Sequence, residues 1–179
     1  FNTLDAATSS DLVLTGGVSD TAANLSPSGV DSADFTAAVT QDPDVAVTVT
    51  GTNPTVAELN AIAAATAGTV TATISGDIAT LSGLTTSSTD AISVTVTDAV
   101  SVAQFNTLDG KTNVDIVLTG GVTDAALAFA AADGTTTAGL TAIAAQDGDA
   151  VITVTDAVNL AQFNTLDAAT SSDLVLTGG

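Results

Sequence analysis

The sequence lacks His, Cys, Met, Trp, Tyr and Arg, and Lys111 is the only basic residue among 179. Without His, Cys or Arg, the chain cannot assemble a Ser-His-Asp triad, a cysteine nucleophile, the usual zinc site or an arginine clamp for phosphate. Most catalytic designs are thereby excluded. We therefore expect that the protein is not an enzyme.

Positive charge is almost absent, because 20 acidic residues against 1 basic residue give a formal net charge of -19. Such a polyanion repels nucleic-acid phosphates and has no basic stripe that could release their counterions. Long apolar runs are also missing: the longest, Ala125 to Ala132, has 8 residues. A membrane-spanning helix needs about 20. Nucleic-acid binding and membrane insertion are therefore not expected.

Aromatic residues make up only 3% of the chain, and all of them are Phe. Because 45% of the residues are nevertheless hydrophobic, the chain is too apolar to be a disordered acidic tail. The core must therefore be built mainly from Ala, Val, Ile and Leu. We expect core positions rather than a binding patch for the four Phe residues considered: Phe35, Phe105, Phe129 and Phe163.

The absence of cysteine and the near absence of tryptic sites are typical of extended bacterial surface proteins. Lys111 offers the single cleavage site for a trypsin-like protease. Small secreted domains more often depend on disulfides, so a chain without cysteine is not of that kind. The composition favours an extracellular location for a protein of this type.

Internal repetition is the main positive feature of the sequence. Residues 1–17 (FNTLDAATSSDLVLTGG) recur without change as residues 163–179, a displacement of 162 residues. A diverged copy begins at Phe105 and matches the first copy at 13 of 18 positions. Repeats of this kind predict an array in which each unit packs on its neighbours.

A shorter period appears when the strand-like segments are aligned on their last Thr or Ser. These residues are spaced by 35, 25, 22, 22, 36 and 22 positions. The basic unit has about 22 residues, and two units are longer. The predicted units are residues 16–50, 51–75, 76–97, 98–119, 120–155 and 156–177.

Each unit combines a strand pattern with a helix pattern. The strands alternate apolar residues with Thr, and the segments between them carry apolar pairs at i and i+3, such as Leu59 and Ile62. Helix-start signals recur at one place in the unit: Thr55 with Glu58, Ser101 with Gln104, Asn159 with Gln162, Asp31 with Asp34 and Asp77 with Thr80.

These patterns predict an α/β solenoid of parallel strand–helix repeats of about 22 residues. A connection that contains a helix is a crossover, so successive strands are parallel. The strands fall into a Leu-Val-Leu-Thr-Gly-Gly class and a Val-Thr-Val-Thr class, which leaves two arrangements open. One puts every strand in one sheet, and we favour it; the other is a wider coil, a β-solenoid with two parallel sheets, one for each class. The long connections, residues 17–43 and 122–149, are expected to add a lateral turn.

Aspartates recur in register with the strands and are candidate calcium ligands. Asp11, Asp115 and Asp173 open strands, whereas Asp98 and Asp156 follow them. Calcium takes six to eight oxygen ligands, which carboxylates of neighbouring units can supply. The alternative role is turn formation, helix capping and solubility. No other cofactor is indicated.

Threonine pairs on the outward strand faces suggest a second function, in adhesion or ice binding. A Thr-x-Thr ladder is regular in the Val-Thr-Val-Thr strands, but Val13, Val117 and Val175 interrupt it. Thr is also a good strand former on a solvated face, which is the simpler interpretation. Paired carboxylates for glycoside hydrolysis are a further alternative that we do not favour, because repeated acids are spread along the chain.

The stretch from residue 98 to 129, DAVSVAQFNTLDGKTNVDIVLTGGVTDAALAF, resembles the repeat arrays of giant secreted bacterial surface proteins of the adhesin and filament type, as in marine cyanobacteria. The resemblance implies export and a role as a stalk, filament or coat. A solenoid without capping repeats exposes its core at both ends, so we expect the partners to be further copies of the repeat, in the same chain or in a fibre. The tandem Gly-Asp nonapeptides that many such proteins carry are missing here, which weakens the expectation of calcium.

Overall fold

The computed structural model describes residues 12–178, and over that range the chain alternates parallel strands with helices. The strands are β1 (Val18–Thr21), β2 (Val47–Thr50), β3 (Val70–Gly76), β4 (Ala91–Val96), β5 (Ile116–Leu118), β6 (Val122–Asp124), β7 (Ile152–Val154) and β8 (Leu174–Leu176). The helices are α1 (Ala22–Leu25), α2 (Ala33–Gln41), α3 (Val56–Ala65), α4 (Ile78–Leu81), α5 (Val102–Asp109), α6 (Ala126–Phe129), α7 (Ala138–Gln146) and α8 (Leu160–Ala169). The predicted α/β class is confirmed.

The strands of the described range form two sheets, with orders β1-β2-β3-β4-β5 and β6-β7-β8. Successive strands pair in parallel, for example Val18 with Val47 and Ile152 with Leu174. The prediction of a single sheet is therefore wrong. The alternative prediction, two sheets with one strand class in each, is wrong as well, because the Leu-Val-Leu type strands β5 and β8 lie in different sheets.

The change of sheet takes place at a Gly-Gly turn between β5 and β6. Gly121 donates its N–H to the Leu118 carbonyl at 2.9 Å and has a φ of 72°, a left-handed value that favours glycine. Before the turn, β5 pairs with β4; after it, Val122 pairs with Val100 and with β7. One continuous stretch of chain thus serves two sheets.

The long connections contain more structure than the expected lateral turn. After its Gly-Gly turn, each one forms a further strand, a short helix and a longer helix: β1, α1 and α2 in the first, β6, α6 and α7 in the second. The sequence pattern concealed β1 and β6 because their sequences, Val-Ser-Asp-Thr and Val-Thr-Asp, each contain a single apolar residue. A strand with one apolar residue shows no alternation.

The core is built from small aliphatic side chains, as expected. Strand β3 alternates buried and exposed residues, and both members of the helical pairs Leu59 with Ile62 and Phe105 with Leu108 are buried. Phe35 and Phe129 are buried too. The prediction fails at Phe163, whose side chain is 37% exposed although its helical neighbour Leu166 is buried.

Most helix-start signals act as the sequence predicts. Thr55 and Glu58 form a reciprocal capping box, as do Asn159 and Gln162. The Ser101 hydroxyl accepts from Gln104 N at 3.2 Å while Ser101 N donates to the Gln104 side chain, and Asp77 accepts from Thr80 N. The signal at Asp31 is misplaced by one residue, because Ser32 caps α2 by accepting from Phe35 N.

The chain divides into two compact units whose segments alternate along the sequence. Over the described residues, the first comprises 12–74, 83–93 and 110–114 and contains β1, β2 and α1 to α3. The second comprises 75–82, 94–109 and 115–178 and contains β5 to β8 and α4 to α8.

Candidate functional site

The aspartates that follow strands bond to the backbone of a helix earlier in the chain. Asp98 Oδ1 accepts from Ile78 N at 2.7 Å, and Asp156 Oδ1 accepts from Ala126 N at 2.6 Å. Ile78 and Ala126 are the first residues of α4 and α6, whose N–H groups have no partner inside the helix. Each carboxylate therefore stabilises a helix that lies 20 to 30 residues earlier in the chain.

Asp124 makes the same kind of bond and was not among the predicted site residues. Its Oδ2 accepts from Val102 N, the first residue of α5, at 3.1 Å, and its Oδ1 accepts from Ala125 N at 2.8 Å. A negative charge at a helix N-terminus is also favoured by the helix dipole. Acids that follow strands are thus used to join one strand–helix unit to the previous one.

The other predicted calcium ligands are not drawn into one place. Asp115 and Asp173 are exposed at the starts of β5 and β8, and Asp11 lies outside the described residues. Within residues 12–178, no three carboxylates are grouped as a metal site would require. Calcium binding stays a prediction. The hydrogen bonds that Asp98 and Asp156 accept from helix N-termini support the alternative role in capping.

The N–H groups along one edge of β5 are bonded by side chains instead of a strand. Ile116 N donates to Gln146 Oε1 at 3.1 Å and Leu118 N donates to Asp147 Oδ2 at 2.5 Å. An open strand edge would otherwise present unpaired donors. Asp147 takes this position at a cost, because burial, reinforced by the neighbouring Asp149, raises the pKa of its carboxyl group.

The same edge contact occurs a second time, 104 to 105 residues earlier. Leu12 N donates to Gln41 Oε1 at 3.4 Å, and Leu14 N donates to Asp42 Oδ2 at 2.7 Å. In both places the Gln-Asp pair stands at the C-terminus of a helix, α2 or α7. This Gln-Asp edge contact is therefore a property of the repeat and not of one loop.

Threonines just after three helices point inward and join neighbouring units. Thr112 Oγ1 donates to the Ile92 carbonyl at 2.7 Å and accepts from Ile92 N at 3.1 Å. Thr66 and Thr170 donate in the same way to the carbonyls of Val45 and Ala150. These residues were not predicted, because they lie outside the strands. Their signal in the sequence is a Thr four residues after a buried apolar residue of the helix, Ile62, Leu108 or Leu166.

The outward threonines form rows that are interrupted where the sequence predicts. Thr48 lies beside Thr71, and both are exposed. Thr95 and Thr153 instead lie beside the exposed Val117 and Val175. The threonine surface is therefore not continuous across the neighbouring strands, and no observation favours it as a binding face.

The chain matches no protein-family model, no curated protein and no solved structure in the comparisons made. Function must therefore be argued from the contacts themselves. No helix within residues 12–178 combines the length and apolar character needed to cross a bilayer.

The first compact unit also contains a cavity and two buried polar atoms. A cavity of about 690 Å³ borders Leu14, Leu25 and Phe35 beside α1 and α2. In the same part of the chain, Ser26 Oγ and Asp31 Oδ1 are buried and have no hydrogen-bond partner among the described residues. The cavity lining also includes Asp20, Ser32 and Asp34, but no three acids within residues 12–178 form a group that could hold a metal ion.

Proposed function

We propose that this chain is a non-catalytic structural repeat segment of an extracellular filament, stalk or surface coat. In this proposal the repeats form a parallel strand–helix solenoid and stack end to end with further copies, in one chain or in a fibre. The proposal is supported by the acids Asp98, Asp124 and Asp156, which accept backbone hydrogen bonds that hold one unit to the previous one.

The observation that carries the proposal is the recurrence of the joining contacts. The Gln-Asp edge contact occurs twice at a displacement of 104 to 105 residues, and inward threonines join units at Thr66, Thr112 and Thr170. Recurring contacts of this kind are expected in a repeat array, because each unit contacts its neighbours alike.

Composition supports the extracellular part of the proposal. The chain has no cysteine and a single Lys111, so it needs no redox-dependent folding and offers little to trypsin-like proteases. Its net charge of -19 keeps such a surface soluble. Antibody labelling of intact cells that express the protein tests the location, and labelling only after lysis would contradict it.

Chains of one, two and three linked 162-residue repeats test the solenoid. In the proposed solenoid each of the six predicted units adds one layer of about 4.8 Å, even where a unit contains two strands, so each added repeat is expected to lengthen the particle by roughly 29 Å. Electron microscopy and small-angle scattering measure this length. A length that grows as the cube root of the mass would indicate separate globules and would overturn the proposal.

A further inference from the structure

Helix α8 exposes an apolar face that its counterpart α5 buries. Residues 102–118 and 160–176 correspond at a displacement of 58, so Phe163 corresponds to Phe105 and Leu160 to Val102. Phe105 is fully buried, whereas Phe163 is 37% exposed and Leu160 is 75% exposed. The same sequence element is thus covered in one place and uncovered in the other.

Helix α7 and strand β6 provide the cover for α5. Helices α5 and α7 pack together, and Gln146 Nε2 donates to Asp109 Oδ1 at 2.7 Å. Val102 N bonds to Asp124 at the end of β6, and β5 bonds to Gln146 and Asp147. The strand β6, the helices α6 and α7 and their Gln-Asp pair therefore form an acceptor for a helix–strand segment.

A second acceptor of the same design exists in the first compact unit. Strand β1, helices α1 and α2 and the pair Gln41 and Asp42 correspond to β6, α6, α7 and their Gln-Asp pair. This acceptor already bonds Leu12 N and Leu14 N, and the cavity of about 690 Å³ lies against it. Residues 12–17 that it holds are identical to residues 174–179.

We propose that residues 160–178 of one copy bind the acceptor formed by β1, α1 and α2 of a second copy, in the place of that copy's residues 12–17. The proposal rests on the proposed structural function and names its junction. Leu174 N and Leu176 N would donate to Gln41 and Asp42 of the second copy. These are the bonds that Leu12 and Leu14 make at 3.4 and 2.7 Å.

The first turn of α8 has a partner in the same arrangement. Asp20, at β1, corresponds to Asp124, and its Oδ1 accepts from Thr21 N at 2.7 Å, as Asp124 Oδ1 does from Ala125 N. Asp124 uses Oδ2 for Val102 N, the counterpart of Leu160 N. Docking would bring Leu160 N of one copy to Asp20 Oδ2 of the other and would cover Phe163.

The junction joins two different surfaces, so it is heterologous and propagates along an open assembly unless a ring closes. Both partners carry a net charge of -19, which opposes their approach in dilute buffer. Salt screens this repulsion, because the screening length falls to about 3 Å at 1 M ionic strength. The association is therefore expected to strengthen with salt and with protein concentration.

Crosslinking of two single-cysteine variants of the full chain tests the junction, since the chain has no cysteine of its own. A Cβ added to Gly139 of α7 would collide with Val102 Cγ1 of α5 and would lie 3.7 Å from Asn106 Nδ2, so this position of α7 packs directly against α5. The corresponding residues at the proposed junction are Asp34 on α2 and Asn164 on α8. The two variants are therefore D34C and N164C, and one of them carries a mass tag. They are mixed at high salt and treated with a short bismaleimide.

The mixed D34C–N164C product is expected to exceed either like-with-like product by about tenfold, because a heterologous junction brings unlike positions together. N106C is the matched control for N164C, since Asn106 already faces α7 of its own chain, and it should give only background. F163D should reduce the mixed product about tenfold. L127D, a change at another exposed leucine, should leave the product unchanged; circular dichroism checks that both variants fold.

Three results would each overturn the junction. They are a predominance of like-with-like products, an equal yield with N106C, and no product above background. The linked-repeat measurement separates this result from the proposed function. If linked chains still lengthen by roughly 29 Å per repeat while the crosslink fails, the structural role stands and the junction between separate copies is wrong.

Discussion

At the scale of single residues, the two glycines of the Gly16-Gly17 turn differ in backbone conformation and in the space around them. Gly17 has a φ of 71°, and a Cβ built on it would lie 2.6 Å from the Ala46 carbonyl oxygen. A Cβ built on its neighbour Gly16 would meet nothing within 4 Å. The sequence shows two identical residues, and only the fold distinguishes them.

We expect G17A to lower the free energy of unfolding by about 1–3 kcal/mol, because it combines a left-handed backbone with a clash. G16A should change it by less than about 0.5 kcal/mol, as is usual at an uncrowded position. Urea denaturation of the two variants measures the difference. Equal destabilisation by both would show that the turn, and not the close approach to Ala46, sets the requirement.

The contribution of Asp147 to the stability of the folded state changes with pH in the opposite direction to that of Asp77. Burial raises the pKa of Asp147, whereas the bond from Thr80 N lowers the pKa of Asp77. The folded state therefore loses stability as the pH rises through the raised pKa of Asp147. The contribution of Asp77 is present above the ordinary pKa of an Asp, about 3.9, and is lost as the pH falls through the lowered value.

D147N should accordingly stabilise the protein at pH 7 relative to wild type, and the gain should vanish below about pH 4. D77N should destabilise it at pH 7, with a difference that also shrinks in acid. Thermal unfolding between pH 3 and pH 7 records both trends. A pH-independent effect of D147N would mean that its charge is not the unfavourable feature.

At the scale of elements, the inward threonines decide how strongly one strand–helix unit holds the next. Thr112 is buried and bonds both the N–H and the carbonyl of Ile92. Replacing it by valine would keep the shape and leave two buried backbone groups without a partner. Each such group costs about 1–3 kcal/mol.

We therefore expect T112V to lower the free energy of unfolding by about 2–6 kcal/mol in total. T112S should retain most of the stability, because it keeps the hydroxyl group. T48V is the matched control at an exposed strand position, and its effect should be small. If T112V and T48V unfold at the same urea concentration, the inward threonine does not join the units.

At the scale of the whole molecule, charge is the dominant constraint. Twenty acids against one base repel one another when the chain is compact. Several of these acids accept backbone hydrogen bonds, so they cannot be replaced freely by neutral residues. The protein must keep its repulsion and rely on ions in its surroundings to reduce it.

The melting temperature should therefore rise as NaCl increases from low concentration to about 0.5 M, because the screening length shortens. Calcium chloride at matched ionic strength tests the predicted calcium ligands, which are Asp11, Asp98, Asp115, Asp156 and Asp173. A rise with calcium well above that with NaCl, reversed by a chelator, would support calcium binding. Equal rises would remove it.

The sequence by itself determined the features that depend on nearby residues. The helix caps at Thr55, Ser101 and Asn159 and the buried helical pairs follow from spacings of three or four residues within one element. The parallel strands follow from helix-containing crossovers. These properties are local, so composition and period suffice to predict them.

The tertiary structure alone decided which units meet and in what register. Asp98 contacts Ile78, and Leu118 contacts Asp147, across 20 and 29 residues, and no local pattern contains those distances. The change of sheet after Leu118 and the exposure of Phe163 are likewise effects of neighbours. The physical reason is that a hydrogen bond or a buried face is completed by whatever the fold places beside it, and identical segments can therefore have different surroundings.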